Sequence, residues 1–342
     1  MYYFDKDKIK NILIFMTDKH MGNFVVSLPA IISVVNYFNE KVKGIVIDES
    51  YKDIALAFFK QEKVVLYNLR KSRSKFGSVL SFLILLKKLK SVKPSLSIDF
   101  EGRTGGAFLS LLSGAKYKVG FKGGEKSYCY NIKISPNGYI HKSEFYLSIP
   151  QNLGIPLIKE LHPKIREEWY NSLVAKLNEA GIIDFNNIVC IHPGAGKIYK
   201  KWPPQNFASL SDYLIDKGYS VILIGSHRDM EDISQIKSYM KNKAYDFCNK
   251  LSLGELMALF KNSKLYIGND SGPMHLAALF DVPIIALFGS ADEKRWKPLG
   301  EKVNVLKSSE RCEKCRGKDC EKDFRCITSI STEEVINKIG LN

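Results

Sequence analysis

A chain of 342 residues is too long for one ordinary hydrophobic core and suits two domains of roughly 150 residues each. Its 45% hydrophobic and 25% charged residues exclude a disordered polymer and predict a folded core. Lys plus Arg number 51 against 36 Asp plus Glu; the resulting formal charge of +15 creates a field attractive to anionic lipid head groups and phosphorylated sugars. No zinc-finger, RRM or KH signature accompanies that charge, so nucleic acid is not an expected partner. The basic residues fall in scattered groups (6–10, 71–75, 87–93, 197–201, 314–322) and are expected mostly on solvated helix faces.

In chain order, the apolar run 9–16 predicts a buried strand, followed by a short loop and a helix over 24–38 with Val25, Leu28, Ile32 and Val35 at helical spacing. Strand 44–48, helix 51–60, strand 63–67, helix 76–89, strand 96–100, helix 104–113 and strand 118–121 follow. Such alternation implies a parallel sheet with crossover helices. Residues 122–138 carry turn signals and read as loops, 141–153 as a helix kinked at Pro150, and 154–163 as the linker. A second series repeats the pattern: helix 166–180, strand 188–192, helix 204–217, strand 219–224, helices 230–240 and 253–261, strand 265–267, helix 273–280 and strand 283–288. Ser331 to Glu334 forms a capping box that starts a last helix near Thr332, one that in two-lobed proteins often returns to the first domain. The longest apolar runs, such as 79–86, fall short of the roughly 20 residues a membrane span needs. With no secretory apolar region at the N-terminal end, a cytoplasmic protein is expected.

The most informative segment is 267–275 (IGNDSGPMH), a polar loop punctuated by glycine between a strand and a helix whose first position suits Pro273. Unpaired backbone N–H groups and the positive end of the helix dipole make this an anion site, although Asp270 and Ser271 could also act simply as caps. Upstream, His192-Pro193-Gly194-Ala195-Gly196 follows a strand and leads to Lys197, Lys200 and Lys201. Both loops would lie at the carboxyl edge of one parallel sheet, where open α/β sheets bind ligands.

Taken with Met21-Gly22-Asn23 and Leu28-Pro29-Ala30, with 98–103 (IDFEGR), Lys200-Lys201-Trp202-Pro203, 253–256 (LGEL), 268–278 (GNDSGPMHLAA) and Leu287-Phe288-Gly289, these motifs make the chain resemble glycosyltransferase family 9, the lipopolysaccharide heptosyltransferases. The resemblance implies a GT-B fold: two Rossmann-like α/β domains, 1–160 for the acceptor and 161–342 for the donor, with parallel sheets facing a central cleft. It implies an inverting, metal-independent transfer of heptose from ADP-heptose to the lipopolysaccharide inner core or a lipid A-linked acceptor, at the inner face of the inner membrane. Lys200 matches the family lysine beside the diphosphate. Asp270, Ser271, Gly272, Met274 and His275 match the donor loop, with Gly194 in the companion loop. Leu253 and Met257 fall where adenine rests, Asp229 or Glu231 where a carboxylate meets the ribose, and Asp99 and Arg103 in the acceptor domain.

One departure matters. Where the family commonly carries Met-Gly-Asp with the aspartate as base, this chain has Asn23, and an amide takes no proton at neutral pH. Asp18 and His20 in the same loop are the nearest substitutes, then Asp99 or Glu101; the alternatives are a nucleotide-sugar-binding homologue without transfer activity or a transferase of another nucleotide sugar. A nicotinamide oxidoreductase lacks its G-x-G-x-x-G after the first strand. Finally, Cys312, Cys315, Cys320 and Cys326 could hold a structural zinc or iron through four thiolates, or remain thiols or form a disulfide; no cofactor is expected for the chemistry itself.

Overall fold

The computed structural model describes residues 6–68, 75–124, 126–136, 141–310 and 320–339, and the chain divides into two units, Met1–His162 and Pro163–Asn342. Within the first unit the order is β1 (Ile12–Met16), α1 (Met21–Phe38), β2 (Val42–Asp48), α2 (Lys52–Leu56), β3 (Val64–Tyr67), α3 (Lys75–Ser91), β4 (Leu96–Asp99), α4 (Thr104–Leu112), β5 (Tyr117–Phe121), β6 (Ile132–Ile134) and α5 (Lys142–Asn152). Its six strands pair in parallel in the order β3-β2-β1-β4-β5-β6.

The second unit comprises α6 (Glu167–Glu179), β7 (Ile188–His192), α7 (Pro204–Asp216), β8 (Ser220–Leu223), α8 (Met230–Tyr239), β9 (Tyr245–Asp246), α9 (Leu253–Lys261), β10 (Leu265–Asn269), α10 (Gly272–Ala278), β11 (Ile284–Phe288), α11 (Glu293–Trp296), β12 (Val303–Lys307), α12 (Arg325–Thr328) and α13 (Thr332–Ile339). Its all-parallel order, β12-β11-β10-β7-β8-β9, is the first unit's order read from the other edge. Both are doubly wound Rossmann sheets whose direction of winding reverses once, between β1 and β4 and between β7 and β10.

The central strands are buried along their length because helices cover both faces: β1, β7 and β11 are buried at all five positions, and only the last residue of β7, His192, is polar. That is why they read as continuous hydrophobic runs. The same demand shapes α1, which has the length and apolarity of a membrane span but buries Phe24, Val25, Val26, Leu28, Ile31 and Val34 in the first unit's core. Pro29 is accommodated inside it, and Pro150 sits within the last turn of α5. Three strands fall outside the sequence expectation, β6, β9 and β12; all are edges, and β9 and β12 have no fully buried position. The capping box at the last helix forms as expected, with Ser331 N–H donating to Glu334 Oε2 at 2.7 Å and Glu334 N–H to Ser331 Oγ at 3.1 Å. Helix α13 packs through Val335 on α7 and β11 of its own unit.

Candidate active site

At the reversal point of the second unit, β7 ends in His192 and β10 in Asn269, and the two loops that follow are tied together by one side chain. Asn269 donates Nδ2–H to the Pro193 carbonyl at 2.6 Å and accepts from the Trp202 backbone N–H at 3.1 Å. Fully buried, it locks the glycine loop, the lysine segment and the 270–275 loop into one piece. Trp202 anchors the far side by donating its indole N–H to the Ile330 carbonyl at 2.8 Å.

Of the three lysines, only Lys200 turns to the loop after β10, with Nζ 2.5 Å from Asp270 Oδ2. Lys201 pairs instead with Asp232 at 2.6 Å, and Lys197 is exposed. Asp270 is 7% exposed. Beside this pair, His192 Nδ1 lies 3.1 Å from Ser271 Oγ, and its Nε2 lies 3.8 Å from Asp229 Oδ2. Ser271 is the residue before α10 yet its hydroxyl makes no capping bond, so it faces His192 rather than closing the helix. Burial by itself would raise the Asp229 carboxyl, but the His192 imidazole beside it and the N–H and hydroxyl of Ser226 hold it down at about 2. Asp229 also explains Gly194: a Cβ there would come within 2.1 Å of Asp229 Oδ1. Asp229 is therefore an anionic prop under the glycine loop, whereas Glu231, the other ribose candidate, lies exposed on α8 and bonds Gln235.

The sequence reading missed His192 as a member of this group and Asn269 as its organiser; the signal was a histidine and an asparagine ending the two strands that flank the reversal. Of the other motif residues, Met257 and Met274 are fully buried, while Leu253 is partly exposed at the start of α9. His275 is 4% exposed, its ring edge-on to Trp296.

The first unit's reversal point is built of acids. After β1, Asp18 Oδ1 accepts from the His20 backbone N–H at 2.7 Å and lies 2.7 Å from His20 Nδ1, while Asp18 Oδ2 accepts from Asn23 Nδ2 at 2.9 Å. Asp18 is 4% exposed; the His20 side chain is 55% exposed. Because a carboxylate only accepts, the proton of the imidazole belongs on Nδ1, which leaves the lone pair on Nε2. The loop is pinned by the Tyr51 hydroxyl donating to the Lys19 carbonyl at 2.5 Å and by Thr17 donating to Glu101.

Asp99, expected at an acceptor, is wholly buried: Tyr130 donates to its Oδ2 at 2.5 Å and the Glu101 N–H to its Oδ1 at 2.8 Å. It shapes the turn after β4 from below. Burial pushes its carboxyl up to about 7, against the lowering effect of those two bonds. Gly120 makes room for the partner, since a Cβ would meet the Tyr130 ring at 2.4 Å. Glu101 is half-buried on that turn and Arg103 exposed at the entry to α4. Of the four clustered cysteines, Cys312 and Cys315 lie outside the described residues; Cys320 Sγ accepts from the Phe324 backbone N–H at 3.3 Å, Cys326 is buried, and no group of three or more metal-ligating side chains occurs among the described residues.

Two Rossmann units, each with polar loops at its reversal point, suit an enzyme that handles a nucleotide-linked substrate, and comparison with known proteins makes the class definite. The family model for glycosyltransferase family 9 (heptosyltransferase) matches residues 82–324. The lipopolysaccharide heptosyltransferase 3 of Escherichia coli K12 is 25% identical over 328 residues, covering 93% of this chain and 94% of that protein. Among solved structures, E. coli ADP-heptose lps heptosyltransferase II superposes with a TM-score of 0.79 at 18% identity, covering 96% of this chain and 97% of that one. E. coli heptosyltransferase WaaC with ADP-2-deoxy-2-fluoro heptose gives 0.71 at 19%, covering 96% and 98%. The protein is a glycosyltransferase with the GT-B type of fold. It belongs to glycosyltransferase family 9, and its curated relatives are named as lipopolysaccharide and lipooligosaccharide heptosyltransferases.

Proposed function

We propose that the protein is an inverting, metal-independent transferase that moves heptose from ADP-heptose to a hydroxyl of the lipopolysaccharide inner core, working in the cytoplasm at the inner face of the inner membrane. The observation that carries the reading is the Lys200–Asp270 pair beside His192 and Ser271, a cation and hydroxyl set held rigidly by Asn269 where open α/β sheets take their ligands. A relative solved with an ADP-heptose analogue supports the donor, and relatives named for heptosyl transfer to lipopolysaccharide support the acceptor.

Inversion follows from one displacement. The acceptor oxygen forms a bond to the anomeric carbon as the bond from that carbon to the β-phosphate oxygen breaks, and the departing electron pair stays on ADP. Lys200 meets the charge that gathers on the leaving diphosphate. The acceptor proton goes to His20 Nε2, with Asp18 fixing the tautomer and orientation of the ring as the carboxylate does in a catalytic triad. Asn23 is then no lost base but a second donor holding Asp18, which removes the motive for a binding-only homologue. Charge neutralisation is left to side chains, and any zinc or iron on the four C-terminal cysteines is structural.

The test is a thermal melt with ADP-heptose, GDP-mannose and UDP-glucose, followed by NMR of the product's anomeric configuration. ADP-heptose alone raising the melting temperature, with an inverted product, supports the proposal. A larger rise with another nucleotide sugar, or retention of configuration, overturns it.

A further inference from the structure

Helix α3 has a divided character that the transfer reaction does not use. Its inner side, Phe82, Leu85 and Leu89, packs into the first unit's core together with Val92 just past its end. Its outer side in the first half is equally apolar and open: Val79 is 57% exposed, Leu80 49%, Leu83 54% and Ile84 62%. Elsewhere among the described residues, exposed large hydrophobics stand singly along the sequence or as the pair Leu111 and Leu112. Isolated exposed side chains are ordinary; four within six residues on one helix are a binding surface.

Charge says what the surface binds. From Lys63 to Ile98 the sequence contains no Asp or Glu in 36 residues but nine bases: Lys63, Arg70, Lys71, Arg73, Lys75, Lys87, Lys88, Lys90 and Lys93. Lys87, Lys88 and Lys90 are exposed on the turns of α3 that directly follow the apolar four. Apolar side chains that enter the acyl boundary, flanked by long basic side chains that stay among phosphates, are the pattern of a helix lying on an anionic bilayer. A protein partner would need acidic groups matched to this one stretch, whereas an anionic leaflet supplies negative charge continuously.

We infer that the outward face of α3 is the membrane-docking surface of the protein, with Val79, Leu80, Leu83 and Ile84 dipping into the leaflet and Lys87, Lys88 and Lys90 engaging anionic head groups. The inference rests on the peripheral placement proposed above and is independent of the donor chemistry. It gives the basic excess of the chain a local use: the acceptor is lipid-linked, so holding the enzyme at the leaflet raises the acceptor's effective concentration.

The experiment is co-sedimentation of the full chain with vesicles of phosphatidylcholine alone and of phosphatidylcholine with one quarter phosphatidylglycerol. Variants are Leu80→Ser/Leu83→Ser/Ile84→Ser and Lys87→Ser/Lys88→Ser/Lys90→Ser, with the melting-temperature rise caused by ADP as the check on each fold. The expected result is binding to the anionic vesicles only, weakened by added salt, and about tenfold weaker in each variant while the ADP response is unchanged. Should the apolar triple variant not fold, the single Ile84→Ser and the lysine variant decide the matter. Wild-type protein that ignores anionic vesicles, or variants that bind them as well as wild type, overturns the inference. So does a wild-type dimer in size exclusion that the apolar variant abolishes without any vesicle binding, which would make α3 a self-interface. An absent ADP response in the wild type would count against the donor reading and leave the vesicle result standing.

Discussion

The two units share one strand order and one place for chemistry, and they equip that place oppositely. At the β7/β10 reversal a lysine, a histidine and a serine hydroxyl surround buried carboxylates; at the β1/β4 reversal a half-exposed histidine stands over a carboxylate that takes three hydrogen bonds. The lesson is that winding fixes where a ligand sits and the loop residues decide which charge it carries. The proposed division, donor anion in one unit and acceptor proton in the other, is tested most severely by Lys200→Ala. Loss of the cation removes leaving-group stabilisation and leaves Asp270, 7% exposed, without its partner. Turnover with ADP-heptose should fall about 1,000-fold, measured as released ADP. His20→Ala should lower kcat by about 100-fold with KM for the donor little changed. A loss confined to donor KM would place His20 at the nucleotide and undo the contrast.

Two buried aspartates sharpen the same comparison through pH. Asp229 is held at about 2, below the ordinary 3.8, so it adds stability that is fully present above pH 3.8 and disappears as the pH falls through about 2. That contribution is about 2 kcal/mol, and Asp229→Asn should flatten the acid limb of urea unfolding between about pH 2 and 4. Asp99 is shifted the other way, to about 7: the folded state keeps its proton while the unfolded chain has lost it, so this term weakens as pH rises from 3.8 to about 7. Asp99→Asn should therefore give a stability profile that falls less over that window than the wild type's. Equal slopes in wild type and variant would mean that Tyr130 and the Glu101 N–H keep Asp99 ionised.

How much of this could be read from sequence depended on whether a residue's environment was local. The central strands and their helices were legible because burial on both faces leaves uninterrupted apolar runs, as in Ile188 to Ile191. Three of the four edge strands were not: β6 is three residues long, β12 has no buried position, and two-residue β9 has no periodicity to detect. In the site, Lys200 and Asp270 stood out by motif, but their pairing across 70 residues is a product of parallel register. The function of Asn269 was equally invisible, since it bonds backbone groups 76 and 67 positions away. The full burial of Met257 and Met274 was equally hidden, because a motif records that a residue is needed and not how far it is covered. The exposed half of α3 was hidden by the reverse problem, a leucine-rich run that looks like ordinary core.

Asn23 offers the finest cut between a lapsed acid and a rebuilt one. If the site had merely lost its base, Asn23→Asp would return a carboxylate to the family position and raise turnover. The geometry argues the opposite. Asn23 Nδ2 donates to Asp18 Oδ2 at 2.9 Å, and Asp18 in turn orients His20 through Oδ1. An aspartate at position 23 would delete that donor and set two carboxylates against each other in a pocket where Asp18 is 4% exposed. Like charges this close cannot both stay ionised, so one is protonated and the hold on the imidazole slackens. Turnover of Asn23→Asp should drop about tenfold, with the steepest loss on the acid side, where the pair still holds a shared proton. The pH profile of kcat for wild type, Asn23→Asp and Asp18→Asn reads this directly: a gain in Asn23→Asp would reinstate position 23 as the base and reduce His20 to a bystander.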